Sequence, residues 1–413
     1  MVSEPLLINS YDNKGGAARA TFRLHQGLKR RGIDSKMLVQ TKISDDDEVI
    51  GPTSRRKDLL STIRFYLDYL PIAPWYAASH GTMKNFSPAW LPDRVGKKVA
   101  TIDPELVHLN WIVGFMNPKT IRTIDCPIVW TFHDMWPFTG GCHYSGDCTN
   151  YEDECGSCPI FSGDRERDLS RWVWNRKRDA WADFSPTIVT PSTWLADCAR
   201  SSSLFNDARI EVIPYGIDTE IFRPVETGVA RNELGLPEDA NLLLFGSGYT
   251  TPRKGLHHLV KAVDILKERG WTDNLHIAIF GSIDSNDVPD LPFETHVLGF
   301  LNDTELRHAY SAADVSVVPS VEDNLPNIVM ETLACGTPCV GFRVGGIPDM
   351  ISHKENGYLA APGNASDLAS GIEWVLENAD RSLGIQARNT VEERFERSRI
   401  IDKHVSLYDS IIR

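Results

Sequence analysis

Apolar runs the length of a strand alternate with amphipathic stretches of helical spacing along this chain, and they do so in two series. In the first, residues 6–10 lead into 15–31, another run occupies 128–132, and 187–191 leads into 192–200. In the second, 242–246 leads into 256–268, followed by 277–281 and by 315–319 leading into 328–334. Apolar strands separated by helices predict parallel sheets with crossover helices. Between the series lie Val212-Ile-Pro-Tyr-Gly-Ile-Asp218, Phe222-Arg-Pro224 and a polar stretch to Asp239, the Pro/Gly punctuation of an interdomain passage. At 413 residues the chain exceeds one ordinary core. Two α/β domains are expected, 1–205 and 206–395, with the boundary near 200–218. Open parallel sheets bind ligands beyond the carboxyl ends of their strands, so two facing sheets would share a cleft there.

Composition narrows the partners. Acidic residues outnumber basic ones 56 to 43, giving a net charge of −13 with no basic stripe, which argues against nucleic acid. The first residues, Met1-Val-Ser-Glu-Pro-Leu-Leu-Ile8, read as a first strand rather than a signal peptide. With no apolar run of about 18 residues, a cytoplasmic location is expected.

The most informative stretch is 317–359, VVPSVEDNLPNIVMETLACGTPCVGFRVGGIPDMISHKENGYL. A strand ends in Pro319-Ser320, an acidic loop follows, and Asn327 is expected to cap a helix that carries Glu331. Such a turn offers backbone N–H groups to an anion and carboxylates to hydroxyls. The stretch resembles retaining glycosyltransferase family 4. That signature has two acids separated by seven residues, here Asp323 and Glu331, followed by Ala-Cys-Gly-Thr-Pro and Gly-Gly segments. The family's first acid is usually Glu, so Asp323 is a departure, and Glu322 offers the extra reach.

The resemblance covers nearly the whole chain and implies a GT-B architecture. Its two Rossmann-like domains face each other across a cleft, and the last helix, 396–413, crosses back onto the first domain. It implies transfer of a sugar from a nucleotide-diphosphate sugar to a carbohydrate or lipid-linked glycan, with retention of configuration, as in surface polysaccharide or glycoconjugate synthesis. Asp323 and the backbone beyond it, through Asn327 and Ile328, would hold the donor sugar, and Glu331 the ribose. Upstream, Arg253 and Lys254 begin a helix and match the family's cations on the donor diphosphate, where negative charge grows as the sugar leaves. Gly15 and Gly16 join the first strand to the first helix and would approach the donor phosphates. His133, at a strand's carboxyl end, matches the family's His at this point and suits contact with sugar hydroxyls or tuning of a proton transfer. No carboxylate is placed as a covalent nucleophile, which favours same-face return over double displacement.

Three further features lie outside that signature. Cys142, Cys148, Cys155 and Cys158 fall within an insertion at 140–159 and read as ligands of a closed structural zinc site. Two disulfides, four free thiols, or His143 replacing one ligand remain open. Asp45-Asp46-Asp47 looks like a metal-binding Asp-x-Asp but has no strand leading into it, so a turn is expected there and no catalytic metal. Residues 59–78 are rich in aromatic and aliphatic side chains and follow Arg55-Arg56-Lys57. They read either as a buried helix or as a peripheral contact with an anionic membrane. The competing functions are a GT-B sugar-nucleotide epimerase and a non-catalytic nucleotide-sugar-binding relative.

Overall fold

A computed structural model describes residues 2–52, 55–78, 85–161, 163, 165–247, 251–272, 274–282, 288–378 and 381–412. The chain divides into two compact units: Met1–Pro214 with Ile400–Arg413, and Tyr215–Arg399. The second division falls inside the helix Arg397–Ile412.

The first unit is built on β1 (Pro5–Tyr11), β2 (Lys36–Thr41), β3 (Val49–Ile50), β4 (Leu106–Leu109), β5 (Ile128–Thr131), β6 (Thr187–Thr190) and β7 (Ile210–Val212). They form one sheet in the order β3-β2-β1-β4-β5-β6-β7, every neighbour parallel. Because side chains alternate between faces, a strand buried on both sides must be apolar throughout. In β1, Leu6 and Ile8 enter one core with Trp130 and Ile188, while Leu7 enters the other with Val39, Val129 and Tyr408. The helix Arg397–Ile412 thus covers one face of this sheet, and Tyr408 Oη lies 2.6 Å from Nδ1 of His108 in β4.

The second unit contains β8 (Asn241–Ser247), β9 (Leu275–Gly281), β10 (Thr295–Gly299), β11 (Val315–Val318), β12 (Cys339–Phe342) and β13 (Gly357–Ala360). Their order is β10-β9-β8-β11-β12-β13, again parallel throughout. Alternation recurs: Leu242, Leu244 and Ala278 join one core, and Leu243, Phe245, Ile277 and Ile279 the other. Each unit is therefore a Rossmann-like α/β layer structure.

Residues 59–78 do not form one buried helix. They continue the helix Arg55–Asp68, turn through Leu70–Ile72 and enter the short helix Ala73–Ala78. Ile72 and Asp68 are buried, but Leu59, Ile63, Tyr66, Leu67, Leu70 and Trp75 are exposed. The side chains of Arg55, Arg56 and Lys57 lie outside the described ones. Asp46 works in a turn: it accepts from Lys29 Nζ (3.0 Å) and from the Glu48 amide (3.0 Å).

Candidate functional site

In the second unit, the carboxyl ends of β8 and β11 bring two loops together. Residues 248–250 lie outside the described ones; beyond them, Pro252–Lys254 makes one 3-10 turn and Gly255 opens the helix Leu256–Glu268. Gly255 has φ 75°, and a Cβ there would sit 1.8 Å from the Pro319 carbonyl oxygen. Only glycine lets the loop press so closely on the end of β11. The contact is completed by the Val321 amide, which donates to the Arg253 carbonyl (2.9 Å).

That approach delivers both predicted cations to the predicted acid. Lys254 Nζ donates to Asp323 Oδ2 at 2.6 Å, and Arg253 Nη1 lies 3.4 Å from Asp323 Oδ1. Arg253 Nη1 also donates to the Glu322 carbonyl (2.6 Å), and Ser320 Oγ to Asp323 Oδ2 (3.2 Å). Burial alone would raise the Asp323 carboxyl, but the charges of Lys254 and Arg253 and the two side-chain hydrogen bonds hold it below its usual value. On the far side the Gly346 amide donates to the Asp323 carbonyl (3.0 Å), and Gly345, at φ 53°, has no room for a Cβ beside that oxygen. The Gly-Gly element foreseen in the sequence is therefore a backbone brace for Asp323.

Asn327 does not cap the following helix. Pro326 holds the N-cap position with extended dihedrals and no side-chain acceptor, so Asn327 becomes the first residue of Asn327–Ala334. Ile328 follows, partly buried against the core. Glu331, one turn in, is 2% exposed and accepts from the Tyr310 hydroxyl at 2.8 Å. Arg388 fastens the same helix from below, donating to the carbonyls of Ala334 (2.8 Å) and Phe222 (2.7 Å). Asp323, Lys254, Arg253 and Glu331 were legible in the sequence. Tyr310 and Arg388 were not, because nothing in a helical repeat marks which Tyr or Arg will meet a distant backbone.

In the first unit, His133 lies two residues beyond the end of β5 rather than on it, and its Nε2 is 3.1 Å from Asn110 Oδ1. Burial pulls its imidazole down to about 4, with Asp134 opposing, so the ring is neutral at physiological pH. Asp134 accepts from the Trp136 amide (2.9 Å) and from Trp111 Nε1 (3.0 Å), and lies 2.7 Å from His143 Nδ1. His143 Nε2 is in turn 2.9 Å from Ser87 Oγ. Both ring nitrogens of His143 are thus engaged, which removes it as a substitute for a cluster thiol. Gly15 holds the N-cap position of the helix Gly16–Arg30, with φ 88°.

The four predicted thiols are unbridged in the structure and line one small cavity with Gly140, Ser145, Asn150, Tyr151, Gly156 and Ser170. Among the described residues, the donor group that converges to within 4.8 Å is a different one: His276, Glu294 and His296, on and beside β9 and β10. His276 Nδ1 and His296 Nε2 are 3.0 Å apart.

Comparison with known proteins follows the same division. The profile of Glycosyltransferase Family 4 matches residues 14–221, and that of the Glycosyl transferases group 1 matches 227–392. A D-inositol 3-phosphate glycosyltransferase of Stackebrandtia nassauensis is 31% identical over 94% of this chain and 84% of its own. For two other curated relatives the chain spans about half of their length, 47% and 46%. Among solved structures, sucrose-phosphate synthase of Thermosynechococcus elongatus superposes with a TM-score of 0.70 at 19% identity, covering 99% of this chain and 98% of that one. Anabaena HepE in complex with UDP and glucose gives 0.64 at 16% identity, covering 99% and 100%.

Proposed function

The chain belongs to glycosyltransferase family 4, and on that premise we propose that it transfers a sugar from a nucleotide-diphosphate sugar to a carbohydrate or lipid-linked glycan with retention of configuration. The observation that carries this reading is the meeting of Lys254 and Arg253 with the buried Asp323 just before the start of the helix Asn327–Ala334. Two cations on one carboxylate leave net positive charge, pre-positioned for a diphosphate. In the donor complex, Lys254 and Arg253 turn toward the phosphate oxygens and neutralise the charge that develops as the glycosidic bond breaks. Asp323, held by Ser320 and the Gly346 amide, then has an oxygen free for a sugar hydroxyl. Glu331 takes the ribose hydroxyls, its position fixed by Tyr310. His133, neutral and held by Asn110, has the chemistry to contact sugar hydroxyls, and the Gly15–Gly16 turn that to approach a phosphate.

The acceptor attacks the face that the diphosphate leaves, which needs no protein nucleophile and no catalytic metal. The exposed Leu59, Ile63, Tyr66 and Leu70 favour a peripheral membrane contact that would bring a lipid-linked acceptor within reach. HepE, crystallised with UDP and glucose, supports a nucleotide-sugar donor. Thermal stabilisation by a panel of nucleotide diphosphates and nucleotide-sugars tests the donor site, since a ligand that binds the folded state raises its apparent stability. Nucleotide release that depends on added acceptor supports transfer. Acceptor-independent turnover would indicate an epimerase, and binding without turnover a non-catalytic relative.

A further inference from the structure

We propose that Cys142, Cys148, Cys155 and Cys158 close around one zinc ion, and that this knot holds His143 against Asp134 beside His133. The four thiols come from 17 residues of insertion, yet all line one cavity of about 20 Å³. The backbone bends sharply to achieve this. Cys155 and Ser157 adopt φ 52° and 43°, and the Gly156 between them has no room for a Cβ, which would meet the Glu166 carbonyl at 2.2 Å. Left-handed dihedrals at two residues that are not glycine persist only where the surroundings over-determine them. Here the bend turns the Cys-x2-Cys pair toward the cavity that Cys142 and Cys148 share.

The surroundings suit metal-bound thiolates. The Gly140 amide donates to Cys155 Sγ at 3.1 Å, the kind of outer hydrogen bond that orients a ligand. The fully buried Lys177 braces the approach to the cluster. Its Nζ donates to the carbonyls of Trp136 and Thr139, on the chain leading into Cys142. No three of the four sulfurs lie within 4.8 Å of one another. Zinc–sulfur bonds of about 2.3 Å would bring tetrahedral ligands to about 3.8 Å apart, so the metal must draw the sulfurs inward, into space the cavity supplies. The knot acts on the neighbouring unit-one site by position alone: Cys142 precedes His143, whose ring joins Asp134 to Ser87. A closed site offers no open coordination position for chemistry.

Metal analysis of protein purified without added metal tests this. About one zinc per chain is expected, retained in His276→Ala and lost in Cys155→Ser. The first variant matters because His276, Glu294 and His296 also converge and could themselves take the ion. Cobalt exchange into the unmutated protein keeps the test valid where the Cys variant fails to fold: intense visible bands of tetrahedral cobalt thiolate are expected. Titrating the thiols with a mercurial should release one metal as the cluster reacts. The proposal is overturned by zinc-free protein with four titratable cluster thiols, by two disulfides in this segment, or by zinc that leaves in His276→Ala and stays in Cys155→Ser. None of these readouts depends on glycosyl transfer, so failure here leaves the proposed reaction untouched.

Discussion

Lys254→Ala separates two roles that the structure gives one ammonium group. In the ligand-free protein Lys254 neutralises Asp323 at 2.6 Å, in a carboxylate only 8% exposed. Removing one partner of a fully buried pair costs roughly 3–5 kcal/mol because the other charge is left uncompensated. Here the loss is smaller, since Arg253 remains 3.4 Å from the other oxygen, Ser320 still donates, and Lys254 is itself 26% exposed. We expect about 1–3 kcal/mol of destabilisation, read as a lower urea midpoint for the second unit. The catalytic loss should be larger, because a fixed cation gains value as the leaving diphosphate develops charge. Deleting one such pre-positioned group costs on the order of 10²–10³ in turnover. Nucleotide release would be measured at saturating donor and corrected for the folded fraction, with Lys254→Arg as the variant that keeps the charge. A Lys254→Ala protein that loses stability but turns over normally per folded molecule would refute the assignment and leave Lys254 as a structural counter-ion.

Glu331→Ala should weaken nucleotide diphosphate binding by at least about tenfold, since a hydrogen bond to a charged group is worth roughly 1.5–3 kcal/mol. Tyr310→Phe removes only the hydroxyl that fixes Glu331 and should weaken binding in calorimetric titration, by less than Glu331→Ala does. Gly345→Ala forces a Cβ onto the Asp323 carbonyl, 1.8 Å away, at φ 53°. It should destabilise the second unit by more than about 2 kcal/mol and lower turnover, whereas unaltered melting would contradict the brace. The first unit should lose stability in mild acid. Burial pulls His25 and His133 down to about 4 and His404 to about 3. Between the unfolded value near 6.5 and those folded values the unfolded chain binds more protons, so stability falls as pH falls. Thermal unfolding followed from about pH 7 to about pH 4 should show that decline, and a flat profile would mean these rings are not buried neutral.

Local pattern determined more here than single residues did. Apolar runs such as 242–246 and 277–281 could be stable only as strands covered on both faces, so two parallel sheets followed from the sequence. Asp323, Glu331, Arg253 and Lys254 could be named because they match the family signature at its spacing, beside the carboxyl ends of predicted strands. What the sequence could not decide is which groups meet across distance. Asn327 has the chemistry of a cap, yet Pro326, with its extended dihedrals, took that position. His143 read as a spare zinc ligand until packing placed Asp134 and Ser87 at its two nitrogens. Tyr310, Arg388 and Lys177 looked like ordinary helix residues, and only the helices' docking aimed them at Glu331, at the Ala334 carbonyl and at the chain beneath the cysteines. Strand and helix identity depends on neighbours a few residues away, whereas these pairings are fixed by side-chain packing between segments far apart in the chain, where periodicity carries no information.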